Sequence, residues 1–324
     1  MNRTAPLVRF VVVAYGRSEG LDATLDSIEG GAAGIAFETV VVLAPGDPAA
    51  GRVAARATVL VPEASAEHTP GANRNRGAAG AGAPYLAFAD GDVVLEPDFV
   101  PRAIAFLSAH PEAGGVGGRI HERQWSAGRL VREIADSYRT RRGGPVEMLA
   151  TAWIARRTAF EAVGGFDPRL PSEEDMELSL RLARAGHPVH ALDLRAAYHD
   201  CPPRPSLAEF GRRWRSGLYA GQGVLLRLTW GRPEFVRHLW RQRLYLGAVV
   251  FALAGGVAAV AALLGSTLSR TAFAVWLGLA LGALLVMAAR KGSLSYGALS
   301  ILAWVVLGLG ILNAWLRKPR EVRA

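Results

Sequence analysis

The chain has 324 residues, of which 37 are Lys or Arg and 28 are Asp or Glu, which gives a formal net charge of +9. Hydrophobic residues make up 51% of the chain and charged residues 20%, a composition that excludes a disordered protein. Residues 1–200 have 21 Arg against 25 acidic residues, whereas residues 201–324 have 16 basic against three acidic residues. A uniformly basic nucleic-acid-binding protein would not be divided in this way. The single cysteine, Cys201, excludes an internal disulfide framework and a cysteine-based zinc site.

The first 90 residues alternate between apolar runs and amphipathic segments. Three short β-branched runs without helical periodicity predict buried strands, at residues 8–14, 39–43 and 59–61. Residues 19–28 and 73–81 predict helices, and residues 85–89 predict a strand that ends at Asp90. This alternation predicts an α/β domain with a mostly parallel sheet and helices on both faces.

Two carboxylates, Asp90 and Asp92, follow the last of these strands and are separated by Gly91. In such sheets, ligands bind beyond the carboxyl ends of the strands. Gly91 lets the backbone bend so that both carboxylates can approach one hard cation, and Mn²⁺ or Mg²⁺ prefers carboxylate and phosphate oxygens. Taken alone, the same three residues are also typical of an ordinary Asp-Gly turn.

A second acidic group, residues 172–175, precedes a helix predicted over residues 176–185. Ser172 and Asp175 have the spacing of a helix capping box, and acidic residues in a first turn suit the helix dipole. A carboxylate at this position could equally remove a proton from an attacking hydroxyl group. The two interpretations are compatible, because a capped helix start is a rigid support.

Three uncharged apolar segments follow, at residues 244–264, 271–289 and 294–316. About 20 apolar residues are needed to cross ~30 Å of hydrocarbon, so each segment predicts a transmembrane helix. Buried core helices are the alternative. Residues 204–243 contain nine Arg against two Glu and include an amphipathic stretch, residues 207–228, expected to lie along the membrane surface.

The charges also predict an orientation. The first nine residues do not have the pattern of a signal peptide, so we expect the N-terminal domain to stay in the cytoplasm, attached to the inner membrane by a multi-pass anchor. Arg290 and Lys291 then lie on the cytoplasmic side. The basic tail, residues 317–323, would lie outside with three spans, so either the tail is an exception or one segment is re-entrant.

Several motifs together resemble glycosyltransferase family 2, whose members have the GT-A fold. The matching segments are VVVAYGR at 11–17, RNRG at 74–77, YLAFADGD at 85–92, GGFD at 164–167 and EDMELSLR at 174–181. The resemblance covers roughly residues 8–200. It implies a Rossmann-like GT-A catalytic domain over residues 1–203, a basic amphipathic juxtamembrane segment over 204–243 and a membrane domain over 244–324.

The resemblance also implies roles for the acidic residues. Asp92 would bind the divalent metal, and Asp90 would contact the nucleotide ribose or the metal. Asp175, beside Glu174, would be the general base. His199 matches a histidine that is the third metal ligand in some relatives, although a core or surface histidine is the alternative.

The donor contacts are less well defined. Ala14, Tyr15 and Arg74 are candidates for contacts with the base and ribose, although Arg74 could also be a solvated helix charge. The Asp that recognises the base in the family is replaced by Leu43. Asp47 either substitutes for it or belongs to a turn, so the identity of the nucleotide stays open. The Gln-x-x-Arg-Trp motif of processive synthases lacks its Gln, and Trp214 is expected to be an interfacial aromatic residue.

The sequence therefore predicts an inverting glycosyltransferase at the cytoplasmic face of the membrane. It would move a sugar from a nucleotide-diphosphate sugar to a lipid-linked or cell-envelope glycan, with a divalent metal and membrane lipid as further partners and no nucleic acid. The alternatives are a polyprenyl-phosphate sugar synthase, a nucleotidyltransferase and a catalytically degenerate membrane scaffold. A nucleotidyltransferase would need a Gly-rich basic loop after the first strand, which residues 14–17 do not supply.

Overall fold

The computed structural model describes residues 5–15, 18–63, 68–80, 82–138, 140, 143–203, 207–265 and 267–317. The described chain forms two compact units, with the division after Pro203. The Gly-Arg pair at 16–17 of the first family-like motif and most of the basic tail, residues 318–324, lie outside the described residues.

Ten strands in the first unit form one sheet: β1 (Val8–Val13), β2 (Phe37–Val42), β3 (Thr58–Leu60), β4 (Tyr85–Asp90), β5 (Val93–Leu95), β6 (Gly115–Ser126), β7 (Arg129–Ile134), β8 (Gly144–Val146), β9 (Ala152–Arg156) and β10 (Val189–Cys201). Six helices accompany them: α1 (Leu21–Gly31), α2 (Ala49–Val53), α3 (Pro70–Ala78), α4 (Phe99–Ala109), α5 (Arg157–Ala162) and α6 (Glu174–Arg184).

The strand order is β3-β2-β1-β4-β9-β6-β10-β5, with β7 paired to β6 and β8 to β10. Strands β1 to β4 are mutually parallel, as predicted. Strand β9 is antiparallel to both β4 and β6, and β10 is parallel to β6, so the sheet is mixed beyond β4. The α/β fold class is confirmed. The carboxyl ends of β1, β4, β6 and β10 all lie at one edge, which is where the site is built.

Local sequence explains the N-terminal elements. The β-branched run of β1 is buried on both sides, as is usual for a strand inside a parallel region. Helix α1 buries Leu21, Leu25 and Ile28, the residues that predicted it. Helix α3 begins earlier than predicted because Pro70 occupies its first turn and the Thr69 hydroxyl accepts a hydrogen bond from the Ala72 amide.

The residue that caps α6 is not Ser172, the position that the predicted capping box requires. The residue that precedes the helix is Glu173, which has a left-handed backbone (φ 68°) and makes no side-chain capping hydrogen bond. The helix therefore begins at Glu174, and Asp175 lies in its first turn. A non-glycine residue in this conformation is strained, and such strain is common next to functional groups.

The second unit is helical. It consists of α7 (Leu207–Arg215), a 3₁₀ turn (Leu218–Ala220), α8 (Gly221–Leu228), α9 (Pro233–Arg241), α10 (Arg243–Leu263), α11 (Thr267–Lys291) and α12 (Leu294–Leu316). Helices α10, α11 and α12 are long and apolar enough to cross a membrane. At most 22% of the apolar 18-residue stretch of each helix is buried. This exposure contradicts the alternative of buried core helices.

The predicted amphipathic stretch is not one continuous helix. Gly217 adopts a left-handed backbone (φ 74°) that ends α7, and α8 follows the 3₁₀ turn. Helix α8 packs on α12, where a Cβ atom on Gly223 would lie 2.3 Å from the Ile311 carbonyl oxygen. Trp214, at the end of α7, is exposed.

Candidate active site

The carboxylates of the Asp-x-Asp segment lie at the carboxyl edge of the sheet. Asp90 is the last residue of β4, and Asp92 lies in the turn before β5. The Asp200 amide donates to the Asp92 carbonyl oxygen at 2.9 Å, and His199 is opposite Val93 in the register of β10 and β5. The backbone thus brings the His199 Nε2 atom to 3.4 Å from Asp92 Oδ1, although the residues are far apart in the chain.

Arg74 lies at the centre of a second group. Its Nη2 atom donates to Asp90 Oδ1 at 2.8 Å, and its Nη1 atom donates to Glu174 and lies 3.7 Å from Asp175 Oδ1. The guanidinium is buried and its carbon is 5.4 Å from the Phe166 ring centroid. The alternative of a solvated helix charge is wrong, because one buried cation joins three carboxylates from β4 and α6.

Asp175 is buried between this arginine and the indole of Trp153. Trp153 Nε1 donates to Asp175 Oδ1 at 3.2 Å. Burial raises the pKa of Asp175 to about 7, against the lowering effect of Arg74; Glu174 and Asp90 raise the pKa further. A carboxyl group with a pKa near neutrality can both accept and release a proton under physiological conditions.

Two motifs that are distant in sequence hold this group together. The Asn75 side chain donates to the Phe166 carbonyl oxygen at 2.8 Å and accepts from the Phe166 amide at 2.9 Å. The Thr69 hydroxyl donates to the Pro168 carbonyl oxygen at 2.8 Å. The start of α3 is therefore fixed to the loop that precedes α6, which sets the position of Arg74 relative to Glu174 and Asp175.

The predicted donor contacts lie at the end of β1. Ala14 is buried, and its amide donates to the Val42 carbonyl oxygen at 3.1 Å. The Tyr15 ring stacks on His68, with the centroids 4.7 Å apart. Asp47 accepts hydrogen bonds from the Ser18 hydroxyl and from the Ala49 amide, both at 2.9 Å. This is the pattern of an Asp that closes a turn, the second interpretation given above.

Two functional candidates carry no sequence signal of their own. Trp153 is a single aromatic residue within β9, and His68 precedes α3 outside any motif. Both were missed because only the fold places them, Trp153 against Asp175 and His68 against Tyr15. Arg181, the last residue of the EDMELSLR segment, forms two 2.6 Å hydrogen bonds with Glu177 on its own helix.

Asp92 and His199 are chemically suited to a divalent metal. An oxygen and a nitrogen donor 3.4 Å apart are close to the spacing of adjacent ligands on one ion, and Mn²⁺ accepts both. Asp90 is bound to Arg74 instead. Among the described residues, no group of three or more His, Cys, Asp or Glu side chains could hold a metal.

Comparisons with known proteins point in one direction. A family model described as glycosyltransferase like family 2 matches residues 5–217. A mannosyltransferase from Pyrobaculum calidifontis, solved with GDP-Man and Mn²⁺, is similar in structure with a TM-score of 0.60 and 18% identity, over 94% of this chain and 88% of that one. S. aureus TarS, residues 1–349, has a TM-score of 0.50 and 15% identity, over 71% and 68%. No curated protein sequence matches the chain.

Proposed function

The chain belongs to glycosyltransferase family 2 and has its GT-A-like fold, and from this premise we propose a membrane-anchored, inverting glycosyltransferase. The donor is a nucleotide-diphosphate sugar, and the acceptor is a hydroxyl or phosphate group on a lipid-linked or cell-envelope glycan. The sugar is transferred in one displacement, with the acceptor attacking the anomeric carbon on the face opposite the leaving diphosphate.

The observation that carries the proposal is the buried cluster of Asp175, Glu174, Asp90 and Arg74. An acceptor hydroxyl must lose a proton as it attacks, and Asp175 is the group that receives it. Burial raises the pKa of Asp175 to about 7 against the lowering effect of Arg74, and the neighbouring carboxylates of Glu174 and Asp90 raise it further. Glu174 supports this base in two ways: its charge raises the pKa of Asp175, and it accepts a hydrogen bond from Arg74.

The leaving diphosphate needs a positive charge opposite it. Asp92 and His199 would hold a divalent cation, Mn²⁺ or Mg²⁺, which when bound supplies Lewis-acid stabilisation to phosphate oxygens. The similar fold of a mannosyltransferase solved with GDP-Man and Mn²⁺ supports this assignment. Arg74 binds Asp90 beside this pair, and we assign Asp90 a contact with the donor ribose or the metal.

The nucleoside of the donor lies at the end of β1. The small Ala14 lies there, and the stacked rings of Tyr15 and His68 offer a flat aromatic surface. The buried Leu43 at the end of β2 cannot accept a hydrogen bond from a base. We therefore assign recognition of the nucleoside to stacking and to backbone contacts.

The three apolar helices anchor the enzyme in the inner membrane. The basic residues before α10 and the pair Arg290 and Lys291 support a cytosolic catalytic unit under the positive-inside rule. A lipid-linked acceptor would then reach the catalytic unit from the bilayer, and membrane lipid is the third partner.

A nucleotide-sugar panel tests the function. The purified full chain is incubated with each donor and with Mn²⁺, Mg²⁺ or EDTA, and released nucleoside diphosphate is measured with and without a polyprenyl phosphate or a lipid-linked glycan. We expect release with one donor, dependent on the metal, stimulated by one acceptor class and lost in Asp92→Asn. No release with any donor would support a degenerate scaffold.

A further inference from the structure

The hairpin of β6 and β7, together with the turn that follows it, carries most of the exposed large apolar side chains described in the catalytic unit. Six large hydrophobic side chains are exposed among the described residues of this unit, and four lie within 125–138: Trp125, Leu130, Val131 and Tyr138. The other two, Leu7 and Val61, are isolated. Single exposed hydrophobic residues are normal, whereas a cluster marks an interaction surface.

The same hairpin carries positive charge that no described acidic residue compensates. Arg129 and Arg132 are exposed on β7, and neither forms an ion pair with another described residue. The nearest acid on the strand, Glu133, has its carboxylate 3.4 Å from His121 Nδ1. This charge lies on a unit with an acidic excess, which makes the hairpin a local cationic and apolar surface.

The hairpin is built rigidly enough to present these side chains. Arg123 makes two hydrogen bonds to the Asp200 carboxylate at 2.7 and 2.8 Å, and the Trp125 indole donates to the same carboxylate at 2.9 Å. The polar end of the indole is thus satisfied on the protein while part of the ring faces outwards. Ala127 and Gly128, both with positive φ, close the two-residue turn.

The hairpin points to the edge of the sheet that carries the active site. Gln124 is opposite Cys201 in the register, so residues 125–129 extend past the end of β10. Asp92 and His199 lie at this same carboxyl edge. Strand β10 also ends here, two residues before the catalytic unit itself ends at Pro203 and the chain continues towards the apolar helices.

We infer that the β6–β7 hairpin contacts the surface of an anionic bilayer. Trp125, Leu130 and Val131 enter the headgroup region, and Arg129 and Arg132 bind lipid phosphates. Aromatic and aliphatic side chains flanked by arginines suit this interface, and the positive charge complements acidic lipid. The contact would hold the active-site edge towards the membrane, from which a lipid-linked acceptor arrives. This inference rests on the proposed function in one respect only, which is that α10 to α12 insert in the membrane.

A second copy of the chain is the competing occupant, because β7 pairs only with β6 among the described residues and has a free edge. In the antiparallel register that sets residue 129 of one copy opposite residue 132 of the other, pairing two β7 edges would bring Arg129 against Arg132. Like charges across a strand pair are unfavourable, and charged side chains protect exposed edges from such pairing. The charge pattern therefore favours lipid.

Site-specific fluorescence in the full chain tests the contact. Leu130→Cys is labelled with an environment-sensitive dye and the protein is placed in nanodiscs of phosphatidylcholine alone or with phosphatidylglycerol, with or without doxyl-labelled lipid. Leu7→Cys is the matched control, since Leu7 is also exposed but precedes β1, at the opposite edge. Leu253→Cys, exposed on α10, reports membrane insertion itself. The native Cys201 is buried, which favours labelling at the new position.

We expect doxyl lipid to quench the dye at position 130 but not at position 7, and more strongly with phosphatidylglycerol present. Changing Arg129 and Arg132 to Gln should lower the ratio of docked to undocked hairpin about 30-fold, because each arginine near an anionic leaflet contributes roughly fivefold.

Quenching at 253 but not at 130 would overturn the hairpin contact and leave the membrane anchor intact, whereas no quenching at either position would contradict the anchor as well. If the dye at position 130 is shielded from solvent in detergent, and the shielding depends on protein concentration and not on lipid, the proposal would also be overturned. Such a result would indicate pairing between two copies.

Discussion

Asp175 has a neighbourhood that suits a base better than a structural acid. It is buried, it receives one hydrogen bond from Trp153, and it shares Arg74 with two other carboxylates. Asp175→Asn keeps the shape but removes the proton acceptor, so we expect turnover to fall by about 10²–10⁴-fold with the thermal unfolding midpoint little changed. The release of nucleoside diphosphate in the presence of acceptor measures the loss.

Asp98→Asn is the matched control for this change. Asp98 is exposed and lies before α4, where its only described ion pair is a weak 3.4 Å contact with Arg102. It should retain full activity. An Asp175→Asn enzyme that keeps most of its turnover would rule out Asp175 as the base.

The pH dependence follows from the same environment. Burial raises the pKa of Asp175 from 3.8 to about 7, and only the ionised form accepts a proton. We expect kcat/KM to rise about tenfold per pH unit below pH 7 and to level off above it. The effect on folding has the opposite sign: the contribution of this group is fully present below about pH 4 and is lost as the pH rises through 7. A flat rate profile between pH 5.5 and 7.5 would contradict the assignment.

Trp153 is expected to act as a positioning residue for this base. Its indole donates a hydrogen bond to the ionised carboxylate and so lowers the pKa of Asp175. Trp153→Phe keeps an aromatic ring against Phe88 and Phe166 but removes the donor. The acid limb of the kcat/KM profile should move to higher pH while the plateau falls only modestly. An unchanged limb would mean that the indole only fills space.

The acidic residues of the site could be predicted from sequence, but their environment could not. Short motifs identified Asp90, Asp92 and Asp175, because they follow a strand or precede a helix in a recognisable order. Nothing in the sequence distinguishes a buried Arg74 from a solvated helix charge. Its burial depends on α3 packing beside α6, where Asn75 is bonded to Phe166.

The secondary-structure elements show the same contrast: those determined by local sequence could be predicted, and those determined by pairing with distant strands could not. Strands β1, β2 and β4 are close to their predicted bounds, since buried β-branched runs are a local signal. The antiparallel half of the sheet was not predicted. Strand β9 pairs with β4 and β6, both far away in the chain, and Gly115 and Gly117 accept the Trp153 side chain so closely that a Cβ atom would lie 2.8 and 3.3 Å from it.

Close packing of α3 on β1 gives a test at the level of elements. A Cβ atom on Gly77 would lie 2.4 Å from Val11 Cγ1, and the stiff β-branched Val11 is fully buried. Gly77→Ala should therefore destabilise the full chain by roughly 1–3 kcal/mol, measured as a shift of the thermal unfolding midpoint in detergent.

Gly51→Ala is the comparison for this prediction, because Gly51 lies in α2 with no atom near the added methyl group. It should be neutral or stabilising by about 0.5–1 kcal/mol. The double variant Val11→Ala, Gly77→Ala should recover part of the lost stability. Equal midpoints for the two single glycine variants would show that α3 does not pack as described.

At the level of the whole molecule, the division of charge has a physical meaning. The acidic excess belongs to the unit that carries the candidate catalytic carboxylates, and the basic excess flanks the apolar helices. A net charge of +9 that is divided in this way does not by itself point to a nucleic-acid partner. If the apolar helices cross a membrane, as proposed, the basic residues indicate the side on which the flanking segments lie.

Orientation in the membrane can be tested at the two short connections between the apolar helices. If the catalytic unit is cytosolic, the connection after α10 lies outside and the one after α11, which follows Arg290 and Lys291, lies inside. A Cys introduced at Leu264 should react with an impermeant maleimide in intact spheroplasts, and one introduced at Gly292 only in inside-out vesicles. Reaction of both on the same side would show that α11 does not cross, which would also return the basic tail to the cytoplasm.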